Sequence, residues 1–285
     1  MKTKFSISLI MSGVLLFSTA LFSAQNDSWS RPFPGHRIIA NLYAVGTYDL
    51  GVFLITSEDG HILINTGLEE SMPLIRENIE SLGYSLEDVK ILLTQQAHWD
   101  HTGALAEIKK LTGAEMWATE EDARVLRDGG FSDPHFKGRE PFKPVSVDKI
   151  IEEGDVIELG EIHLTVHEHP GHTEGSSSYS MHVNEAGRDY DVLIANMASI
   201  NPGVRLTFDP TYPGIAEDFA NTYRRQKALD VDVWVAAHGG QYGLHDKWQP
   251  GQPYSPDTFV DPVGFIAAVN RYEDRYLKYI ADEQR

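Results

Sequence analysis

The chain has 285 residues, a length for one large domain or two small ones. Its formal charge of −18 at pH 7 argues against nucleic acid and anionic membrane surfaces as partners, since both repel an acidic protein. It contains no cysteine, which excludes disulfides, thiolate metal ligands and a cysteine nucleophile, and leaves His, Asp, Glu, Asn and Gln to hold any metal.

The N-terminus reads as an export signal. Lys2 and Lys4 precede an apolar stretch from Phe5 through Phe22, relieved by Ser and Thr, with small residues following at Ser23 and Ala24. A basic start, a short apolar core and a small-residue exit mark a secretory signal rather than a membrane anchor. Residues 1–24 are therefore expected to be removed. Residues 25–285 are expected to form a single periplasmic domain with no stable membrane association.

After a polar, proline-containing lead-in from Asn26 to Gly35, strands are predicted over Asn41 to Val45 and Val52 to Thr56. Asp59-Gly60 between apolar runs signals a hairpin, with His61 to Asn65 returning and His61 on a solvated face. Ser71 to Leu82 reads as a helix: Ser71 caps it, Pro73 suits its first turn, and Gly83 stops it. The apolar run Val89 to Leu93 reads as a buried strand. A helix from Thr102 to Leu111, a strand from Met116 to Ala118 and a helix from Glu120 to Asp128 follow. Asp128 to Pro144 is rich in Gly and Pro and carries Phe131, Phe136 and Phe142 without periodicity. Loops of that length are often functional, and these aromatics could cover a cleft or pack locally. Strand pairs are predicted at Ile150 to Leu159 with Ile162 to Val166, and at Ser178 to Val183 with Asp191 to Ala195. Glu217 to Leu229 is helical, Val231 to Ala236 a buried strand, and the tail from Thr258 helix-like with Phe265, Tyr272, Tyr276 and Tyr279 as a packing stripe. Two halves of strands followed by helix suit two packed sheets with helices outside.

Chemistry concentrates at strand exits. Gln96-Ala97-His98-Trp99-Asp100-His101 follows the strand ending at Leu93, Pro170-Gly171-His172 follows another, and His238-Gly239-Gly240 a third. Neutral imidazole and carboxylate suit zinc, and a catalytic zinc keeps one position open for water. Asp100 and His101 are adjacent, so one turn cannot easily aim both at an ion held by His98, which argues for two neighbouring metals. The candidate ligands are Gln96, His98, Asp100, His101, His172 and His238. Among the other histidines, His169 stands closest to a supporting role. Ser146-Val147-Asp148-Lys149 fits a Ser-x-x-Lys nucleophile pattern, but its companion motifs Ser-Asp-Asn and Lys-Thr-Gly are missing, so chance is the better reading.

His98-x-Asp100-His101, Pro170-Gly171-His172-Thr173 and Ala237-His238-Gly239 resemble, in order and spacing, the metal-binding motifs of the metallo-β-lactamase superfamily, over about Asn41 to His245. The usual first motif is His-x-His-x-Asp-His, and here its first position is Gln96. Together with Asn41-Leu42-Tyr43, Gly46-Thr47-Tyr48-Asp49-Leu50, Ile64-Asn65-Thr66-Gly67 and Ile194-Ala195-Asn196-Met197, this makes the chain similar to the GOB-type enzymes of the third subclass, whose motif begins with glutamine. The resemblance implies an α/β fold, an αββα sandwich of two mixed β-sheets with helices on the outer faces, and two zinc sites at one edge. It implies Gln96, His98 and His172 on the first zinc and Asp100, His101 and His238 on the second. It further implies that Ser199 contacts the substrate carboxylate; on its own chemistry, Asp100 is expected to orient the nucleophile through its second oxygen.

The implied activity is hydrolysis of the lactam amide of penicillins, cephalosporins and carbapenems, a small-molecule β-lactam substrate and an antibiotic-resistance role. Zinc lowers the pKa of bound water from roughly 15.7 to about 7. An amide oxygen is a poorer zinc donor than imidazole, so the first site is expected to bind more weakly. Asn196 or Met197 stands where lactonase-like and glyoxalase-like relatives have an aspartate bridging both metals, which counts against those activities. The alternatives are a lactonase or thioesterase of the same superfamily, or a zinc-binding relative without activity. Arg205 is a further candidate to meet a carboxylate.

Overall fold

Side-chain alternation with period two sorts the apolar residues of this protein into two layers. The computed structural model describes residues 27–285, so the expected export signal lies outside the described residues. The first sheet has seven strands in sequence order: β1 (His36–Ile39), β2 (Leu42–Ala44), β3 (Phe53–Ser57), β4 (Gly60–Ile64), β5 (Val89–Leu93), β6 (Glu115–Ala118) and β7 (Lys149–Ile150). Its first four strands pair antiparallel and β4 to β7 pair parallel. The second sheet runs β12-β11-β10-β9-β8, built from β8 (Val156–Leu159), β9 (Ile162–Glu168), β10 (Ser177–Glu185), β11 (Arg188–Ala195) and β12 (Val233–Ala236). Only β11 and β12 pair parallel within it. These are the two mixed sheets expected.

Phe53, Ile55, Ile62, Ile64, Ile91 and Leu93 point between the sheets, against Leu164, Val166, Tyr179, Val192 and Ile194. Their neighbours Leu54, Leu63, Leu92 and Met116 face the other way. There they meet α1 (Met72–Ser81), α3 (Leu105–Thr112) and α4 (Glu120–Asp128); the short helical turn α2 (Trp99–Thr102) lies between α1 and α3 in the chain. On the far side, α5 (Ile215–Gln226) and α8 (Pro262–Glu283) bury Phe219, Tyr223, Phe265 and Tyr276 against the second sheet; the turns α6 (Gly239–Tyr242) and α7 (Leu244–Lys247) lie between them in the chain. Each such aliphatic or aromatic side chain stabilises the fold by about 1.5–3 kcal/mol on burial. No helix of the described residues is long and apolar enough to cross a membrane.

Several details differ from the sequence expectation. The run predicted as one strand from Ile150 to Leu159 is divided, β7 joining the first sheet and β8 the second. The helix predicted from Thr102 begins only at Leu105, separated from the turn ending at Thr102 by Gly103 and Ala104; a Cβ on Gly103 would lie 2.4 Å from the Glu69 nitrogen. An unpredicted strand, β1, follows the lead-in directly, and the lead-in itself buries Trp29 and Phe33. His61 is buried rather than solvated, since β5 pairs beside it and Tyr84 meets its ring edge-on at 5.3 Å. The tail helix begins at Pro262, capped by Asp261, whose Oδ1 accepts from Gly264 N at 2.8 Å.

Candidate metal centre

The parallel strands β4 and β5 end side by side, and their exits build the floor of a cleft. Asn65, just past β4, takes a left-handed backbone (φ 64), a conformation Asn tolerates better than most residues. Its amide donates to Gly51 O and Gln95 Oε1, and its oxygen accepts from Gln95 N at 2.9 Å. The next turn is locked in the same way. Thr66 N and Oγ1 donate to His101 O, while Thr102 Oγ1 donates to His98 O. Gln96, His98, Asp100 and His101 are thereby held buried at one strand end.

Two exits of the second sheet complete the cleft. After β9, Gly171 adopts φ 133, where a Cβ would stand only 2.9 Å from the Phe219 ring, and His172 follows. After β12, His238 sits in an isolated bridge with Leu50, flanked by Gly51 N donating to Ala237 O and Gly239 N donating to Asp49 O. The cleft has a volume of about 320 Å³, and its lining includes Gln96, His98, Asp100, His172, Ser199 and His238.

Two groups of ligand atoms converge. Asp100 Oδ2 lies 3.3 Å from His101 Nε2 and 3.6 Å from His238 Nε2, and one ligand atom from each of the three falls within 4.8 Å of the others. The His98 and His172 rings stand 4.9 Å apart at 71°, with Gln96 beside them in the lining. The far nitrogen of two imidazoles is hydrogen-bonded to an acceptor, and one nitrogen of a third lies near a carboxylate without a hydrogen bond. His238 Nδ1 meets Asp49 Oδ2 at 3.1 Å, His172 Nδ1 meets Ser199 O at 2.8 Å, and His98 Nε2 lies 3.5 Å from Asp133 Oδ2. That leaves His238 Nε2 and His172 Nε2 for the cleft, the arrangement that orients metal-ligating histidines. Both nitrogens of buried His101 lack a hydrogen-bond partner, an arrangement that disfavours folding by about 1–3 kcal/mol per group unless something else satisfies them. The donor set fits a metal.

Electrostatics agree with the geometry. Burial pushes the Asp100 carboxyl up, but His101, His238, His98 and His172 together outweigh it and hold it below the ordinary carboxylate range. Burial pulls His101 down to about 4, against the attraction of Asp100. His172 falls to about 3 through burial and the neighbouring His98. Both rings are neutral at pH 7 and keep a lone pair to donate. For His238, burial is overcome by its hydrogen bond to Asp49 and by Asp100, and its pKa rises.

Five of the six expected ligands line this cleft with Ser199, and the sixth, His101, has a ring nitrogen within 4.8 Å of ligand atoms of Asp100 and His238. Of the loop from 128 to 144, Phe136 reaches the site, edge-on to His98 at 4.9 Å and to Trp99 at 5.0 Å, whereas Phe131 is exposed and Phe142 packs against the outer core. His169 is absent from the cleft lining, its Nδ1 bonding Ser178 Oγ at 2.7 Å. Arg205 is occupied with Asp209. Asn196 and Met197 are buried away from the cleft, Asn196 donating to Gln95 O at 2.7 Å and Met197 lying in the inter-sheet core. No supporting role for Asp49, Asp133 or Trp29 is read from sequence, although Asp49 lies within the quoted Gly46 to Leu50 stretch. Asp49 sits 189 positions from the histidine it holds, and no local pattern links such residues.

Residues 52–238 match the sequence profile of the Metallo-beta-lactamase superfamily. The chain belongs to that superfamily. Its members are hydrolases that bind metal ions, generally zinc. The solved structure of the metallo-beta-lactamase GOB-18 from Elizabethkingia meningoseptica is 44% identical with a TM-score of 0.87, the match covering 90% of this chain and 95% of that one. BJP-1, a subclass B3 metallo-beta-lactamase of Bradyrhizobium japonicum, is 34% identical with a TM-score of 0.84 over 91% and 98%. A hydroxyacylglutathione hydrolase of Bradyrhizobium sp. (strain BTAi1) is 31% identical over 174 residues, 58% of this chain and 57% of its own length. The chain thus spans little more than half the length of that curated relative.

Proposed function

We propose that this superfamily member is an exported, zinc-dependent β-lactamase, with residues 25–285 as its mature periplasmic domain. The observation that carries the reading is the paired ligand geometry, Asp100/His101/His238 facing Gln96/His98/His172, in a chain with 44% identity to GOB-18 over nine-tenths of its length. When bound, zinc supplies a Lewis acid for the carbonyl and acidifies water to give a nucleophile at neutral pH.

The chain's own residues do the rest. Asp100, held ionised, has one oxygen among the ligand atoms and a second with which to orient the attacking water. Ser199 presents its hydroxyl to the substrate carboxylate. Trp99 and Phe136 wall the cleft and give apolar surface to the bicyclic lactam. Gln96 offers a neutral amide oxygen, so the first ligand set binds its ion more weakly than the second. With no serine or cysteine nucleophile set, no acyl-enzyme forms, and carbapenems fall within range.

A thioesterase reading rests on the hydroxyacylglutathione hydrolase similarity. Against it, the β11 exit offers Asn196 and Met197, both buried, in place of a carboxylate facing the metals. Purified mature protein assayed on a chromogenic cephalosporin and on S-lactoylglutathione separates the two. Lactam turnover abolished by a chelator and restored by zinc supports the proposal. Turnover of the thioester alone defeats it.

A further inference from the structure

The segment from Trp29 to Gly35 lies across the loop that holds Asp49 and is fastened at several points. Tyr48 N donates to Arg31 O at 2.9 Å, and the Arg31 guanidinium sits 3.2 Å over the Tyr48 ring. Phe33 is buried edge-on against Tyr48 at 5.6 Å. Asn78 closes the strap, donating through Nδ2 to Phe33 O at 3.0 Å and accepting from Gly35 N at 2.9 Å.

At the other end of this strap, Trp29 Nε1 donates to Asp49 Oδ2 at 3.2 Å. The same oxygen accepts from His238 Nδ1 at 3.1 Å, while Asp49 Oδ1 accepts from Gly240 N at 3.1 Å. The indole ring also stands 5.6 Å from the His238 ring and 6.2 Å from Trp99, and only 8% of Trp29 is exposed. An indole N–H is a donor with no acceptor capacity, so it selects for an oxygen that accepts. An Asp49 carboxylate held in that role keeps the His238 proton on Nδ1 and leaves Nε2 free for the cleft.

We propose that Trp29 is a positioning residue for the Asp100/His101/His238 metal set: the strap fixes Asp49 through the indole N–H, and Asp49 fixes the tautomer and ring orientation of His238. The inference rests on the metal assignment above and is independent of which substrate is cleaved. A group that orients a ligand in this way is worth roughly 10–100-fold in metal affinity.

The test is cobalt and zinc binding, followed by chelator competition and by the visible spectrum of the cobalt form, in two backgrounds. His172→Ala leaves the second set alone, and His101→Ala leaves the first. In the His172→Ala background, Trp29→Phe, which keeps an aromatic ring and deletes the donor, should weaken metal binding about 10-fold and shift the cobalt bands. Asp49→Asn should weaken it at least as much, and the double variant should be no weaker than Asp49→Asn, because both changes break one linkage. In the His101→Ala background Trp29→Phe should change little. Equal weakening in both backgrounds, strictly additive effects, or an unchanged affinity and spectrum overturns the proposal. A parent protein that binds no metal sinks the metal reading with it; a parent that binds metal and ignores Trp29→Phe sinks this inference alone. Circular dichroism on each variant excludes unfolding as the source of a loss, and if Trp29→Phe fails to fold, the shift on Asp49→Asn decides.

Discussion

Asp122, at the first turn of α4, is fully enclosed beside the first ligand set, and replacing it with Asn tests the electrostatics of that region. Its Oδ1 accepts from Thr173 Oγ1 at 3.0 Å, and the Ala97 N–H also bonds it. Ala97 lies between Gln96 and His98, and Thr173 follows His172, so one carboxyl ties together both loops that carry the first ligands. Burial pushes this carboxyl up to about 7, with Asp133 adding to the rise and Thr173, His98 and Ala97 opposing it. A folded-state value above the unfolded one means that the protonated form fits the fold. The associated stability is fully present below the ordinary value of 3.8 and is lost as pH rises to about 7. At about 1.36 kcal/mol per pH decade, the gap amounts to roughly 4 kcal/mol. Asp122→Asn keeps the size and an acceptor for Thr173 but does not titrate. The stability of the variant minus that of the unmodified protein should therefore rise by about 4 kcal/mol between pH 4 and pH 7.5. Urea denaturation of both metal-free proteins across that range measures the difference and cancels every other titrating group. Two curves that stay parallel within about 1 kcal/mol would show that Asp122 is solvated or ionised throughout and refute the reasoning.

His36 gives the opposite pH signature. Burial, partly offset by its bond to Pro34 O, lowers it to about 4 while it stacks on Trp248 at 4.0 Å. Stability is full above about pH 6.5 and declines as pH falls towards 4, by roughly 3 kcal/mol; in His36→Phe, thermal melts should lose that share of the decline. Gln96→His should tighten metal binding at the first set about 10-fold, read by chelator competition, because imidazole is the better zinc donor; equal affinity of the two sets in the unmodified protein would contradict the premise. Ser199→Ala should raise KM for a carboxylate-bearing cephalosporin several-fold more than it lowers kcat, since the hydroxyl is assigned to binding; a loss confined to kcat would move Ser199 to another role.

The layers of the fold were legible because burial on one or both faces leaves a pattern in the strands themselves. β5 was readable to its ends, as Val89, Ile91, Leu92 and Leu93 form an apolar run bounded by Asp88 and Thr94. The same reasoning misplaced His61: alternation alone cannot reveal that Tyr84 packs over its face. The ligands were legible because they crowd into short motifs at strand exits. Their supports were not, since Asp49, Asp133 and Trp29 reach the histidines across the fold rather than along the chain. The strap was invisible for a further reason: Trp29 and Phe33 stand among prolines with no period that a strand or helix would impose. In the 128–144 loop, three phenylalanines looked alike, and only packing sends Phe136 to the cleft and leaves Phe131 in solvent.

The most direct measurement of the central claim is zinc content determined together with carbapenem hydrolysis on the purified mature protein, with one arm given a chelator and another a serine-directed β-lactamase inhibitor. The account predicts turnover that tracks zinc content, vanishes with the chelator, returns on adding zinc and ignores the inhibitor. Turnover that survives the chelator and stops with the inhibitor would contradict it.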